Sequence, residues 1–483
     1  MKQDVRDRVI ATAALCAFAV YLALGIMHHE AWRDEWQAIN IARAATSLPD
    51  LYQRLRYEGH PALWYLLIRG AWEIFPSLAS VQLLNAAFAL AAAALVAFLA
   101  PWPLWLRLLV SFTGPAAWEY SVKARSYGLG WLLIVALALI LRRPAHRWKP
   151  WTVALIAALA LNTSLFTGIV AFSLVLGWLW EERRDGLRPL LWPMAALAAG
   201  TLGTFLLAAP PADVAFGSLT APRILSLQDV MPLVRLFTHT MLPYTNMGKT
   251  HFTVALISAL AVVFLCIRYL NITPGGRIAQ VSGWLCILLF FFLKIIPDPF
   301  PWHLWHLFLM TIAANIAFER RAEIPRSALT VLAVFATLGL NSGIREYVRD
   351  WNVIYSAAQP AAQAIKRAKL DHLPVVVSVA PFISSLSGYL GHPIYDASCS
   401  EEHTYKIWRT DPSLSRDSFN CAYQIAGMND EQRSLFTHSK KVPDETVAAL
   451  AASYRIQMTL LGSFVADTTD ENYYVYLITR FQP

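Results

Sequence analysis

Val9-Ile-Ala-Thr-Ala-Ala-Leu-Cys-Ala-Phe-Ala-Val-Tyr-Leu-Ala-Leu-Gly-Ile-Met27 is almost entirely apolar and runs directly into the polar, aromatic stretch His28-His-Glu-Ala-Trp-Arg-Asp-Glu-Trp36. A membrane-spanning helix needs ~20 mostly apolar residues, because ~30 Å of hydrocarbon is crossed at ~1.5 Å per residue. The run satisfies that ruler. Met1-Lys-Gln-Asp-Val-Arg-Asp-Arg8 ahead of it looks like the basic head of a signal peptide, but no small-residue cleavage site follows Met27, so the segment reads as a retained anchor. Comparable runs recur at 79–100, 103–117, 126–141, 150–162, 165–180, 189–208, 252–270, 278–296, 303–318 and 327–342, giving eleven candidate spans, of which 103–117 and 150–162 are the shortest. The composition agrees: 57% of the 483 residues are hydrophobic and only 15% charged. An average soluble domain carries about a quarter charged residues, so one soluble globule is excluded. Disorder and a small disulfide scaffold are excluded as well, the latter by five Cys in the whole chain.

The net charge of +8 is unevenly placed. Residues 343–483 carry 13 Lys and Arg against 15 Asp and Glu, leaving 27 against 17 for residues 1–342. Basic residues collect in alternate short loops: Lys2, Arg6 and Arg8; Arg107; Arg142 to Lys149; Arg183 to Arg188; Arg268 and Arg277; Arg320 to Arg326. That asymmetry reads as topology with these loops cytoplasmic, not as a nucleic-acid surface. The opposite loops (28–78, 118–125, 209–251, 297–302) and the tail from 343 then face outward. The tail reads as a soluble α/β domain, with β-rich runs at Val375–Val379, Ile456–Phe464 and Tyr473–Thr479 and a helical pattern at 444–453. Cys399 and Cys421 would form a disulfide there, in an oxidising compartment. Cys16, Cys266 and Cys286 lie inside apolar runs and read as packing residues.

Chemistry concentrates in the first outer loop, 28–78, which at about 50 residues is too long for a plain connection. Its Trp, Tyr and Leu content suggests short helices on the membrane surface, one capped by Ser47 with Pro49 in its first turn. Asp34, beside Arg33 and Glu35 just outside the membrane, can stay ionised and take a proton from an incoming nucleophile. Charge alone does not separate that role from a solvated loop carboxylate. Arg125, following Lys123 where a later span begins, could meet an anionic leaving group, or could be an interfacial arginine. Lys294 sits within an apolar run, where an ionisable group is costly without a partner, and Asp298 is near enough in sequence to be one. His303 and His306 in Pro301-Trp-His-Leu-Trp-His306 share one helical face and could hold a divalent metal, the only cofactor the sequence suggests, or line a pocket within an aromatic belt.

Taken together, Asp34-Glu35 after the first span, Gly59-His-Pro-Ala-Leu-Trp-Tyr65, and Glu119-Tyr-Ser-Val-Lys-Ala-Arg-Ser-Tyr127 at the start of a later span form a recognisable set. The chain resembles the GT-C membrane glycosyltransferases, in particular the branch of the protein O-mannosyltransferases and the lipid A aminoarabinose transferase. The family often has a second proline after the His-Pro; here it is Ala62. The resemblance implies a polytopic α-helical fold of about eleven transmembrane helices, with the catalytic module at 1–342 and an extracytoplasmic α/β domain at 343–483. It implies sugar transfer from a polyprenyl-phosphate donor to a lipid, polysaccharide or protein acceptor at the outer face of the bacterial inner membrane. Asp34 and Glu35 become the expected catalytic carboxylates. His60, Pro61, Tyr65, Lys123, Arg125, Tyr127, Lys294, His303 and His306 become the expected substrate-binding residues. The competing reading is a transporter or flippase for lipid-linked sugars. Repeat symmetry and helices broken near the midplane would favour it.

Overall fold

The computed structural model describes residues 2–183, 186–214, 273–292, 301–319, 326–397, 399, 401–409 and 418–481, with five positions between 257 and 265. The anchor forms α1 (Lys2–His28). Three short helices then fill the first loop: α2 (Arg33–Ala44), α3 (Leu48–Leu55) and α4 (Leu63–Ile74). As the sequence suggests, Ser47 caps α3 by accepting from the Asp50 amide, with Pro49 in the first turn. Leu51 and Leu55 of α3 pack with Ile39, Ile41, Trp64 and Ile68 into a small core of the loop's own. Such a core lets the loop hold a shape away from the main bundle.

The bundle continues with α5 (Leu78–Leu99), α6 (Leu104–Ser111), α7 (Tyr127–Arg142), α8 (Lys149–Leu161), α9 (Leu165–Glu182) and α10 (Leu191–Leu207). It ends with α11 (Pro274–Phe292), α12 (Pro301–Phe318) and α13 (Arg326–Asn352). Among the described residues five helices are long and apolar enough to cross a membrane, and three shorter apolar helices accompany them. The apolar run 103–117 is not one span. It breaks into the eight residues of α6 and a 3-10 turn at Gly114–Ala117, and eight residues rise only ~12 Å. The helix stops at Ser111, and Gly114, with φ +44°, opens the 3-10 turn. The run 252–270, with Cys266, lies largely outside the described residues, as do Lys294 and Asp298. Cys16 and Cys286 are exposed on the outside of their helices instead of packed within.

The tail adds α14 (Ala358–Arg367), α15 (Ile383–Leu390), α16 (Ser418–Met428) and α17 (Asp444–Tyr454) around a six-stranded sheet. Its strands are β1 (Val375–Val377), β2 (Ile394–Tyr395), β3 (Glu402–His403), β4 (Arg433–His438), β5 (Ile456–Phe464) and β6 (Tyr473–Arg480), in the order β3-β2-β1-β4-β6-β5. The β1 strand runs parallel to β2 and β4; the other pairings are antiparallel. Apolar clusters cover both faces, Val375, Val377 and Leu435 on one and Val376, Phe436 and Ile478 on the other, as period-2 alternation requires. Cys399 and Cys421 are joined, with Cα atoms 5.5 Å apart.

This sheet domain rests on the first loop. A Cβ on Gly388 of α15 would overlap the Trp36 indole of α2. Asn40 donates to the carbonyls of Ser384 (2.9 Å) and Thr404 (2.6 Å). Loop and tail therefore lie at the same end of the helical bundle.

Candidate active site

The first turn of α2 and the irregular segment 118–126 ahead of α7 meet at the junction of loop, bundle and tail. Asp34 Oδ2 stands 3.0 Å from Arg125 Nη1, and its Oδ1 is 3.9 Å from Arg33 Nε. The Asp34 side chain keeps 34% of its surface open and Arg125 17%, so the pair is reachable from outside. The Arg125 guanidinium also lies 5.1 Å from the centre of the Tyr127 ring.

Glu35 faces the other way. It is fully buried and has both oxygens engaged. Oε1 accepts from the Ala124 amide (2.6 Å), and Oε2 accepts from the Trp32 amide (3.2 Å) and bonds His29 Nε2 (2.9 Å). His29 Nδ1 in turn bonds Asp350 of α13 (2.9 Å), which also accepts from the Trp118 indole (3.0 Å). Burial alone would pull the His29 imidazolium down, but the carboxylates of Glu35 and Asp350 outweigh it and raise it to about 10.

Lys123 is likewise buried. Its ammonium is 2.9 Å from Glu119 and sits over the rings of Trp118 (4.2 Å) and Tyr355 (5.1 Å). The structure thus separates residues that the sequence lists side by side: Asp34 and Arg125 face the opening, while Glu35 and Lys123 are held in the interior.

His60, Pro61 and Tyr65 stand at the start of α4, on the same side as Asp34. His60 Nδ1 donates to the Glu58 carbonyl (2.8 Å), and burial with the nearby Arg125 charge lowers its pKa, keeping the ring neutral. His60 and Pro61 line a cavity of about 180 Å³ against Tyr52, Asn162 and the bare glycine face of α10 at Gly200 and Gly203. A cavity of about 540 Å³ lies elsewhere, between Trp105 and Arg326–Leu338, with apolar walls and none of the expected site residues; chemistry, not size, selects the site. His306 bonds the Tyr120 hydroxyl (3.1 Å) and packs edge-on to Tyr127 (5.8 Å), while His303 stacks on Phe166 (4.8 Å). Among the described residues no three His, Cys, Asp or Glu side chains are grouped to hold a metal ion.

Glu58, which the sequence offers only as a possible further ligand beside His303 and His306, also belongs to this region. It is buried, accepts from Gln37 Nε2 (2.6 Å), and burial raises its pKa to about 8 despite that hydrogen bond, with Asp34 adding a smaller push. Its position immediately before Gly59-His60-Pro61 was the available signal.

No family model matches the sequence, and neither does any curated protein. Solved structures do match. The chain superimposes on the crystal structure of ArnT from Cupriavidus metallidurans bound to undecaprenyl phosphate with a TM-score of 0.56, at 15% identity, over 96% of this chain and 97% of that one. The chain shares the fold of that structure. ArnT in its apo state matches with a TM-score of 0.47 at 14% identity, over 97% of this chain and 98% of that one. The likeness runs through bundle, first loop and tail alike, since nearly all of both chains is covered.

Proposed function

We propose that this protein is an integral inner-membrane glycosyltransferase that moves a sugar from a polyprenyl-phosphate donor to a lipid, polysaccharide or protein acceptor at the outer face. The observation that carries this reading is the solvent-reachable Asp34–Arg125 pair, 3.0 Å apart on a fold shared with ArnT. The acceptor hydroxyl gives its proton to Asp34 as its oxygen attacks the anomeric carbon. The bond from that carbon to the phosphate oxygen breaks, and polyprenyl phosphate leaves with the electron pair. Charge grows on the phosphate during that step, and a guanidinium beside it lowers the barrier. Single displacement inverts the anomeric centre. Lys294 is the second cation we assign to the phosphate, and His60, Tyr65, Tyr127, His303 and His306 we assign to the walls of the sugar pocket. Lys123 and Glu35, each engaged by buried partners, we assign to holding the site's frame.

We read residues 1–342 as the membrane module and 343–483 as an outer soluble domain, joined through the continuous helix α13. N-terminus inside and C-terminus outside is the orientation that the basic loops support. The contact between first loop and tail supports it too, since both then belong to one side.

Mass spectrometry of lipid-extracted glycolipids and surface glycans tests the reading in cells carrying wild type, Asp34→Asn or a deletion. One sugar-sized mass should vanish in both altered strains while the Asp34→Asn protein inserts normally. Glycans that change only in the deletion would overturn the catalytic role of Asp34 and favour a transporter.

A further inference from the structure

The segment 118–126 that carries Arg125 is not helical, although it borders an apolar bundle. Backbone that leaves the helix in such a place must have its carbonyls and amides satisfied by side chains. One side chain meets part of that need. Asn85 of α5, fully buried, directs Nδ2 at the carbonyls of Tyr120 (3.4 Å), Ser121 (3.1 Å) and Lys123 (2.7 Å). Three oxygens around one end of an amide can only meet its NH2 group, so the orientation of the side chain follows from the carbonyls themselves. The Lys123 carbonyl also accepts from the Arg125 amide at 2.8 Å, which puts Asn85 one shared oxygen away from Arg125. From the other side Glu35 holds the Ala124 amide. The two helices are close enough here that a Cβ on Gly128 would lie 2.7 Å from the Tyr120 carbonyl and would overlap Asn85 Oδ1.

We infer that Asn85 is a positioning residue for Arg125, fixing the backbone from which the phosphate-facing guanidinium projects. This rests on the transferase reading, which gives Arg125 its phosphate. Asn85 touches no reacting atom. Its effect on donor binding therefore passes through Arg125.

A double-mutant cycle tests this in full-length protein reconstituted in nanodiscs, with undecaprenyl phosphate as the probe and thermal unfolding read alongside. Arg125→Gln should weaken binding about tenfold, the scale of one charge-assisted contact. Asn85→Leu should weaken it by a similar factor. The double variant should bind no worse than Arg125→Gln alone, because the contact that Asn85 sets is already gone. Additive losses, or Asn85→Leu binding like wild type, would overturn the inference. Arg125→Gln binding like wild type would instead overturn the transferase reading of Arg125. If Asn85→Leu is not recovered folded, Asn85→Ser decides the same cycle. It keeps one donor, so it should give a smaller loss that also disappears in the Arg125→Gln background.

Discussion

Successive residues of an α-helix point about 100° apart, so Asp34 and Glu35 in the first turn of α2 cannot address the same space. Substituting each should therefore produce different defects. Asp34→Asn removes the base and should cut the transfer rate ~10²- to 10⁴-fold, the usual contribution of a general base, with the unfolding temperature nearly unchanged. Glu35→Gln weakens a buried pair with His29 and should lower stability by ~2 kcal/mol, seen as a lower unfolding temperature in detergent or nanodiscs. Equal stability loss in both variants would sink this division. Glu58 adds a pH signature. Its folded pKa, about 8, lies above that of the exposed carboxyl, so its favourable contribution is complete below pH ~4.5 and disappears as pH rises through 8. Glu58→Gln keeps the acceptor for Gln37 without the titration. Unfolding temperatures of wild type and Glu58→Gln should thus diverge between pH 6 and 9, with the wild type losing up to ~3 kcal/mol more. Parallel curves would refute it. Sequence reading reached Asp34, Arg125 and the His-Pro pair through motif order, but which member of a charged doublet faces the opening depends on how α2 is rotated. Sequence reading took both as catalytic; the 3.6-residue period sets them on different faces, and the partners at Ala124 and His29 hold Glu35 inward.

Hydropathy made the elements legible where it was continuous, as in α1, α5, α9 and α13, and the β-branched runs marked β5 and β6. It failed where apolar residues serve a turn. The run 103–117 is as apolar as a span, yet Gly114 packs against the Trp305 indole in a 3-10 turn. The β4 strand, Arg433–His438, mixes charged, polar and apolar residues, so its place beside β1 comes from the sheet and not from its own pattern. At this scale the most exposed dependence is the fit of α15 on α2. Gly388 leaves no room for a methyl group beside the Trp36 indole, so Gly388→Ala must push α2 and α15 apart. Overpacking of this kind costs ~1–3 kcal/mol. The variant should unfold at lower temperature and lose transfer activity through displaced Asp34, while Gly391→Ala, strained at its φ of +93° but meeting no neighbour, should lower stability and leave Trp36 in place. Tryptophan fluorescence alone should not change in the second variant. A wild-type activity and unfolding temperature for Gly388→Ala would show that the interface tolerates sliding.

Across the whole molecule, the two ends of the chain are tied together around Asp34. Glu471 of the tail accepts from the Arg33 amide (3.0 Å) and from the hydroxyls of Ser356 (2.5 Å) and Ser385 (3.0 Å), so a residue 438 positions away caps the helix that bears Asp34. The second tie is His29, which sits between Glu35 and Asp350 with no solvent exposure and joins the end of α1 to the end of α13. Neither tie could be read from sequence, because the partners are hundreds of residues apart and His29 looks like any interfacial histidine. Burial opposes charge on His29, yet the two carboxylates hold its folded pKa near 10, above the ordinary value of 6.5. Its contribution to stability is therefore complete below pH 6.5 and is lost as pH rises from there through about 10. Hydrogen exchange, corrected for intrinsic rates, should find the protection of residues 29–36 and 350–356 level below pH 6.5, falling between pH 6.5 and 10, and level again above that. His29→Asn strands two buried carboxylates and should cost ~3 kcal/mol, about a hundredfold loss of protection confined to those two segments. Wild-type protection that stays level or rises from pH 6.5 to 10 would mean a neutral His29, and the ends of the chain would then be joined by Glu471 and apolar packing alone.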